Sequence, residues 1–271
     1  MVALVLAAGR GERLKPLTSH SLPKQFLPFH GGSLAQLAVA RLVTMPEVDK
    51  VYVLIRDDHA DLARHQLGGL PKTEVIIQQY DDLETGGSAY QGIHYIAQRH
   101  QDNEQVIVAA ADAHFAPVKV FQHTLRRAAR RTRQDHKGLT LVGVRPTRDD
   151  PALGYVFQVL RDHKTSWTFL QKPSLETLET LRYTPKVWNV LLYVADLSEL
   201  VQRVLKHPDG LTRFDLDARL FAAPFEVEVA PLELLWSDLG TFERLHDYLL
   251  ALAEGSLYGS DADATTALPG L

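Results

Sequence analysis

The stretch "LVLAAGRGERLKPLTSHSLPKQF" (4–26) ends an apolar run in small residues and then places Gly9, Gly11, Arg13 and Lys24 in close succession. Glycines let main-chain N–H groups approach a ligand closely. Arg13 offers a planar fork of donors suited to phosphate oxygens, and Lys24 a compact charge able to follow a moving phosphoryl group. Pro16 and Pro23 stiffen the excursion between the two cations. Neither the Gly-Lys-Ser/Thr of a P-loop nor a GxGxxG is present. By spacing alone the stretch could equally be a surface turn with two incidental cations.

Acidic candidates lie further on. "VIVAAADAHF" (106–115) ends a buried strand with Asp112, where a carboxylate can hold Mg²⁺ through hard oxygen chemistry or cap the next loop. "LWSDLGTFERL" (235–245) places Asp238 just before a glycine turn and a last helix, the place of an ordinary helix cap. "LETGGSAYQGI" (83–93) sets Gly86 and Gly87 at a helix start, with Thr85 as cap. Two such glycines suit close approach to a flat base or ribose.

These residues need elements to hold them. "VALVLA" (2–7) is continuous in apolar residues, the pattern of a strand buried on both faces. Helix 33–43, strand 50–55, helix 58–67, strand 73–78, helix 87–99 and strand 105–112 follow, then a basic helix over 118–135. Past it, "GLTLVGVRP", "LGYVFQV", "SWTFLQKP" and "KVWNVLLYV" read as strands with short connections. Helices near 196–206 and 213–222, the strand "FEVEVA" and a helix near 241–253 complete the pattern. The fold class is therefore α/β: a Rossmann-like mixed, mainly parallel central sheet flanked by helices. A first, nucleotide-type half (about 1–115) and a second half (about 138–254) share that sheet, and 255–271 forms a flexible tail.

Composition narrows the function. At 271 residues the chain can bury a full core, and its lack of cysteine excludes disulfides, zinc-thiolate sites and a cysteine nucleophile. A formal charge of −4 gives no case for general nucleic-acid binding. No apolar run spans a bilayer and no secretory signal is visible, so the expectation is a cytoplasmic protein without membrane contact. The twelve histidines show no ligand spacing. "RRAARRTR" (126–133) reads as a solvated helix face.

Taken together, "LAAGRGERLKPLT…PKQFLPF" resembles the signature of sugar-1-phosphate nucleotidyltransferases, and the Pro-Lys-Gln-Phe-Leu-Pro variant resembles that of mannose-1-phosphate guanylyltransferases. Further segments resemble the family's in order. The resemblance implies a loop, Leu6, Ala7, Ala8, Gly9 and Gly11, that wraps a nucleoside triphosphate, with Arg13 and Lys24 facing its phosphates. It gives Gln79, Thr85, Gly86 and Gly87 to the base and ribose, although "ETGG" is more like uridylyltransferases acting on N-acetylmuramate 1-phosphate. Asp112 and Asp238 would share one Mg²⁺, the implied cofactor.

On the sugar side, "LGYV" (153–156), "FLQKP" (169–173) and "VWNVLLYV" (187–194) resemble Tyr-Gly-Tyr-Ile, Phe-x-Glu-Lys-Pro and Trp-Asn-Ser-Gly-Ile-Phe. Gly154 would then let a pyranose lie on backbone, Lys172 would bind the sugar phosphate, and Asn189 would take a sugar hydroxyl. Gln171 replaces a glutamate, and Val190-Leu191 replaces Ser-Gly, which implies a differently shaped sugar pocket.

The implied reaction joins a nucleoside triphosphate to a sugar 1-phosphate, releasing pyrophosphate, with Arg13, Lys24 and Lys172 as catalytic groups. GTP and mannose 1-phosphate are the first expectation. UTP or dTTP with glucose, amino-sugar or N-acetylmuramate 1-phosphate stays open, as does a non-catalytic nucleotide-sugar sensor. A homodimer is the family's expectation, and no C-terminal β-helix domain is expected.

Overall fold

The structure, a computed structural model, describes residues 1–9, 11–29, 31–79, 84–134, 138–161, 163–206 and 215–253. The expected tail, 255–271, lies outside the described residues. The first half runs β1 (Val2–Leu6), β2 (Pro28–Phe29), β3 (Gly32–Ser33), α1 (Leu34–Val43), β4 (Lys50–Ile55), α2 (Ala60–Leu67) and β5 (Thr73–Ile77). Next come α3 (Glu84–Ala97), β6 (Gln105–Ala110), β7 (His114–Ala116) and α4 (Val118–Gln134). The second half holds β8 (Leu139–Val144), β9 (Gly154–Arg161), β10 (Lys164–Leu170), α5 (Leu175–Thr180), β11 (Lys186–Asp196) and α6 (Leu197–Leu200). It closes with α7 (Leu216–Leu220), β12 (Glu226–Val229), β13 (Leu235–Ser237) and α8 (Phe242–Ala253).

Nine strands form one sheet, whose main path runs β10-β9-β11-β6-β1-β4-β5, with β8 on β11 and β12 on β8. The strands β6, β1, β4 and β5 are parallel, as helix crossovers between apolar strands require. β11 joins this half to the second by antiparallel pairing with β6, β8 and β9. One sheet therefore carries both halves. Among the described residues no helix is long and apolar enough to cross a membrane.

Val2, Ala3, Leu4 and Val5 of β1 are buried, so the first strand is covered on both faces. On one face, a Cβ at Gly92 would stand 2.6 Å from Leu4 Cδ1, so α3 lies against β1 at a distance that only glycine allows. α1 begins at a capping box in which Ser33 and Gln36 satisfy each other's backbone N–H groups.

Several boundaries differ from those read in the sequence. α3 starts at Glu84, so Thr85 is not its cap and Gly86 and Gly87 lie inside its first turn. Tertiary bonds hold that turn despite two weak helix formers: Ser88 Oγ donates to Gln78 Oε1 at 2.7 Å. The helix expected near 196–206 is a short α-helix continued by a π-helical turn, Val201–Leu205. The arginine run of α4 is not simply solvated. Arg126 pairs with Glu47 at 2.6 Å, and Arg127 and Arg131 pair with the buried Glu228 at 2.8 and 3.2 Å.

Candidate functional site

β1 ends in the middle of the parallel half, between β4 and β6, so the loop that leaves it opens at the carboxyl edge of the sheet. Gln25, 2 % exposed, ties this loop down: its Nε2 donates to the carbonyls of Ala7 at 2.6 Å and Gly9 at 2.9 Å. Thr18 Oγ1 donates to the Gly11 carbonyl at 2.9 Å. Gly11 is in the left-handed region at φ 65, and a Cβ there would stand 2.7 Å from Lys24 Cβ. Gly9 differs: among the described residues, its chain neighbours aside, no atom lies within 4 Å of its would-be Cβ, so the surrounding fold places no steric demand on it. Arg13 is exposed on a short 3₁₀ turn, Glu12–Leu14.

Lys24 is buried, and its ammonium is where three distant segments meet. Nζ donates to Asp112 Oδ2 at 3.0 Å and makes a short hydrogen bond to the backbone carbonyl of Asp238. A two-stranded ribbon explains the meeting. β7 and β13 pair antiparallel with Ser237 opposite His114, which sets Asp112 and Asp238 at the same end of the ribbon. Arg41, itself 3 % exposed, donates to the Ala113 carbonyl at 2.8 Å and so fixes the backbone beside Asp112. His114 is kept neutral, because burial, helped by Arg41, lowers its pKa to about 3.

The two acids differ in their surroundings. The Asp112 side chain is 44 % exposed, with Oδ2 on Lys24 and no other donor among the described residues. Asp238 is taken up by Arg244, whose Nη1 reaches both carboxylate oxygens at 2.7 Å, while the Gly240 N–H adds a bond to Oδ1 at 3.1 Å. Arg244 Nη2 also donates to Asp150 Oδ2 at 2.6 Å. Burial disfavours the charge on Arg244, but Asp150 and Asp238 outweigh it and the guanidinium pKa is raised. A cavity of about 250 Å³ opens beside this chain of charges, lined in part by Asp150, Trp188, Trp236, Asp238 and Arg244.

Nearer β5, Gln79 is exposed, and its backbone N–H donates to Gln91 Oε1 at 2.7 Å. Thr85 is exposed, and Gly86 and Gly87 are buried in the first turn of α3.

The residues expected on the sugar side form a second cluster. Gly154 on β9 is the register partner of Asn189 on β11. A Cβ at Gly154 would stand 2.9 Å from Gln171 Oε1, so the Gln171 side chain lies over that glycine. Gln171 Nε2 donates in turn to Asp215 Oδ2 at 3.4 Å. Lys172 is exposed and holds a left-handed backbone at φ 46. Leu191, standing where the resembled motif has glycine, also keeps a left-handed conformation at φ 52. A left-handed bend thus stands here without a glycine. Asn189 is less available than expected, since its Oδ1 accepts from the Leu191 N–H at 3.1 Å and lies 3.1 Å from the Tyr193 hydroxyl.

Sequence reasoning did not single out Gln25, Asp150, Tyr193, Asp215, Asp217 or Arg244. Gln25 had one signal, its place directly after Lys24 in the first loop. The others act through partners far away in the chain.

The profile of the nucleotidyl transferase family matches residues 2–255. Mannose-1-phosphate guanylyltransferase 2 of Escherichia coli O157:H7 is 23 % identical over 303 residues, covering 96 % of this chain and 62 % of that protein. Mannose-1-phosphate guanylyltransferase of Escherichia coli is 27 % identical over 221 residues, covering 77 % of this chain and 47 % of that protein. This chain therefore spans less than two thirds of either relative's length. Among solved structures, that of mannose-1-phosphate geranyltransferase from Thermus thermophilus superposes with a TM-score of 0.73 at 25 % identity, covering 91 % of this chain and 78 % of that one. With a profile match across nearly its whole described length, the chain belongs to the nucleotidyl transferase family.

Proposed function

We propose that this protein joins a nucleoside triphosphate to a sugar 1-phosphate, forming a nucleoside-diphosphate sugar and pyrophosphate, with GTP and mannose 1-phosphate as the favoured pair. The observation that carries the reading is Lys24, whose buried ammonium gathers the first loop, Asp112 and the Asp238 segment at one point. The guanylyltransferase relatives support the choice of pair.

The chemistry is an in-line displacement in which a phosphate oxygen of the sugar 1-phosphate attacks the α-phosphorus and pyrophosphate leaves. That oxygen is already ionised at neutral pH, so no general base is required. Catalysis then rests on positioning and on charge stabilisation. In the proposed roles, Lys24 contacts the α-phosphoryl region and Arg13 the β- and γ-phosphates and the leaving pyrophosphate. Lys172 orients the attacking phosphate. Gln79, Thr85, Gly86 and Gly87 approach the base and ribose, and Gly154, Gln171 and Asn189 the sugar.

Magnesium is the proposed cofactor, and Asp112 fits it: a half-exposed hard-oxygen ligand with one oxygen on Lys24 and the other without a donor among the described residues. Asp238 would join only by exchanging its bonds to Arg244. Bound there, the ion would supply Lewis-acid screening of the phosphate charge.

The test is pyrophosphate release across a matrix of nucleoside triphosphates and sugar 1-phosphates with Mg²⁺. Turnover highest with GTP and mannose 1-phosphate is the expected result. A maximum at UTP or dTTP would move the base assignment, and binding without pyrophosphate release from any pair would point to a sensor.

A further inference from the structure

β11 breaks its register with β8 between Asn189 and Tyr193, and Leu191 lies in the break with its left-handed backbone. A residue with a Cβ holds that conformation only where its surroundings enforce it. Here the enforcement is a chain of polar groups running into the core. The Leu191 N–H donates to Asn189 Oδ1 at 3.1 Å. The Tyr193 hydroxyl lies 3.1 Å from the same oxygen and makes a short hydrogen bond to Asp217 Oδ1.

Tyr193 is fully buried and Asp217 is 8 % exposed. A tyrosine and an acid buried together, with an asparagine half-buried beside them, are a poor source of stability compared with apolar packing of the same volume. Their placement points to geometry instead. Asn189 pairs in register with Gly154, over which Gln171 lies, and Gln171 reaches Asp215, two residues before Asp217. The polar chain thus stands directly behind the wall expected to face the sugar. Burial, opposed by the hydrogen bond of Tyr193, raises the Asp217 pKa to about 6.

We infer that Asp217 and Tyr193 are positioning residues for the sugar 1-phosphate, holding Asn189 and, through it, the left-handed turn at Leu191 in the shape the sugar-facing wall needs. The inference rests on the nucleotidyltransferase reading.

The test uses Tyr193→Phe and Asp217→Asn, each alone and combined with Leu191→Gly, in steady-state kinetics with the pair that the wild type turns over. Each single variant is expected to raise KM for the sugar 1-phosphate about tenfold or more, the loss of one buried polar partner, while KM for the triphosphate stays within about twofold. Leu191→Gly is expected to bring the sugar KM back to within about threefold of wild type, because glycine takes this conformation without enforcement. Equal rises in both KM values, an unchanged sugar KM, or no rescue by glycine would overturn the inference. Should the wild type turn over no pair, the activity reading fails, and melting temperatures decide the inference separately. Leu191→Gly must then stabilise the Tyr193→Phe protein more than it stabilises the wild type, and equal effects would overturn the coupling.

Discussion

In the first loop the backbone turns left-handed at Gly11, whereas on the opposite side it does so at Lys172 and Leu191, where no glycine stands. The loop after β1 has a glycine at its bend, and the side-chain hydrogen bonds to its Ala7, Gly9 and Gly11 carbonyls come from within a short stretch, from Thr18 and Gln25. The other side keeps a bend without the easy residue and enforces it from the core through Asn189, Tyr193 and Asp217. A region whose shape is locally determined tolerates changes elsewhere in the molecule. A region whose shape is imposed from behind can be retuned by buried substitutions that touch no ligand.

The comparison can be broken most forcefully at Lys24. Lys24→Ala is expected to lower pyrophosphate release about 10²–10³-fold, the usual cost of removing a donor aimed at developing charge, with far-ultraviolet circular dichroism unchanged. Turnover within about tenfold of wild type would take Lys24 out of the reaction. Next is Lys172→Ala, expected to raise KM for the sugar 1-phosphate about tenfold, as loss of one charge-assisted bond implies, while sparing the triphosphate. A rise in both constants would erase the distinction between the two sides.

A smaller effect separates two glycines of the first loop. Gly11→Ala should destabilise by about 1–3 kcal/mol in urea denaturation, since alanine is strained at φ 65 and its Cβ would meet Lys24. Gly9→Ala should change stability by less than about 0.5 kcal/mol, yet weaken triphosphate binding in calorimetry if the loop wraps the phosphates. Equal destabilisation by both would show that the loop is not determined as described.

The smallest expected signal is a pH slope. The Asp217 carboxyl is raised from 3.8 to about 6, first by burial, so between those values the folded protein binds a proton that the unfolded chain has lost. Its contribution to stability is therefore largest at the acid end and disappears as pH rises through about 6. Asp217→Asn removes the slope. Its unfolding free energy relative to wild type should climb across this window, and a constant difference would place Asp217 in a wetter setting than described.

The parallel half was legible because continuous apolar strands alternate with helical spacing, and β4 was read to the residue. Asp112 and Asp238 could be singled out because each follows an apolar run, and Lys24 because a Pro-Lys follows the glycine-rich first loop. The ribbon of β7 and β13 could not: its strands are three residues long, too short for any periodicity. Arg244 was invisible for another reason. Its partner Asp150 lies 94 positions away, and an ion pair of that separation leaves no trace in local composition. The arginines of α4 read as solvated because Glu47 and Glu228 come from elements distant in sequence. Tyr193 and Asp217 were read as ordinary residues of a strand and a helix, since only the fold turns them towards Asn189.

Gln25 and Thr18 have a consequence beyond holding the loop still. By occupying the carbonyl oxygens of Ala7, Gly9 and Gly11, they use up acceptors of the segment, while the N–H groups of Ala8, Gly9 and Gly11 have no partner among the described residues. Polarity is thereby sorted along a few ångströms of main chain, leaving an edge that favours guests rich in lone pairs before any side-chain charge is counted. A neutral amide and a hydroxyl, neither carrying charge, thus set the polarity of this stretch of main chain.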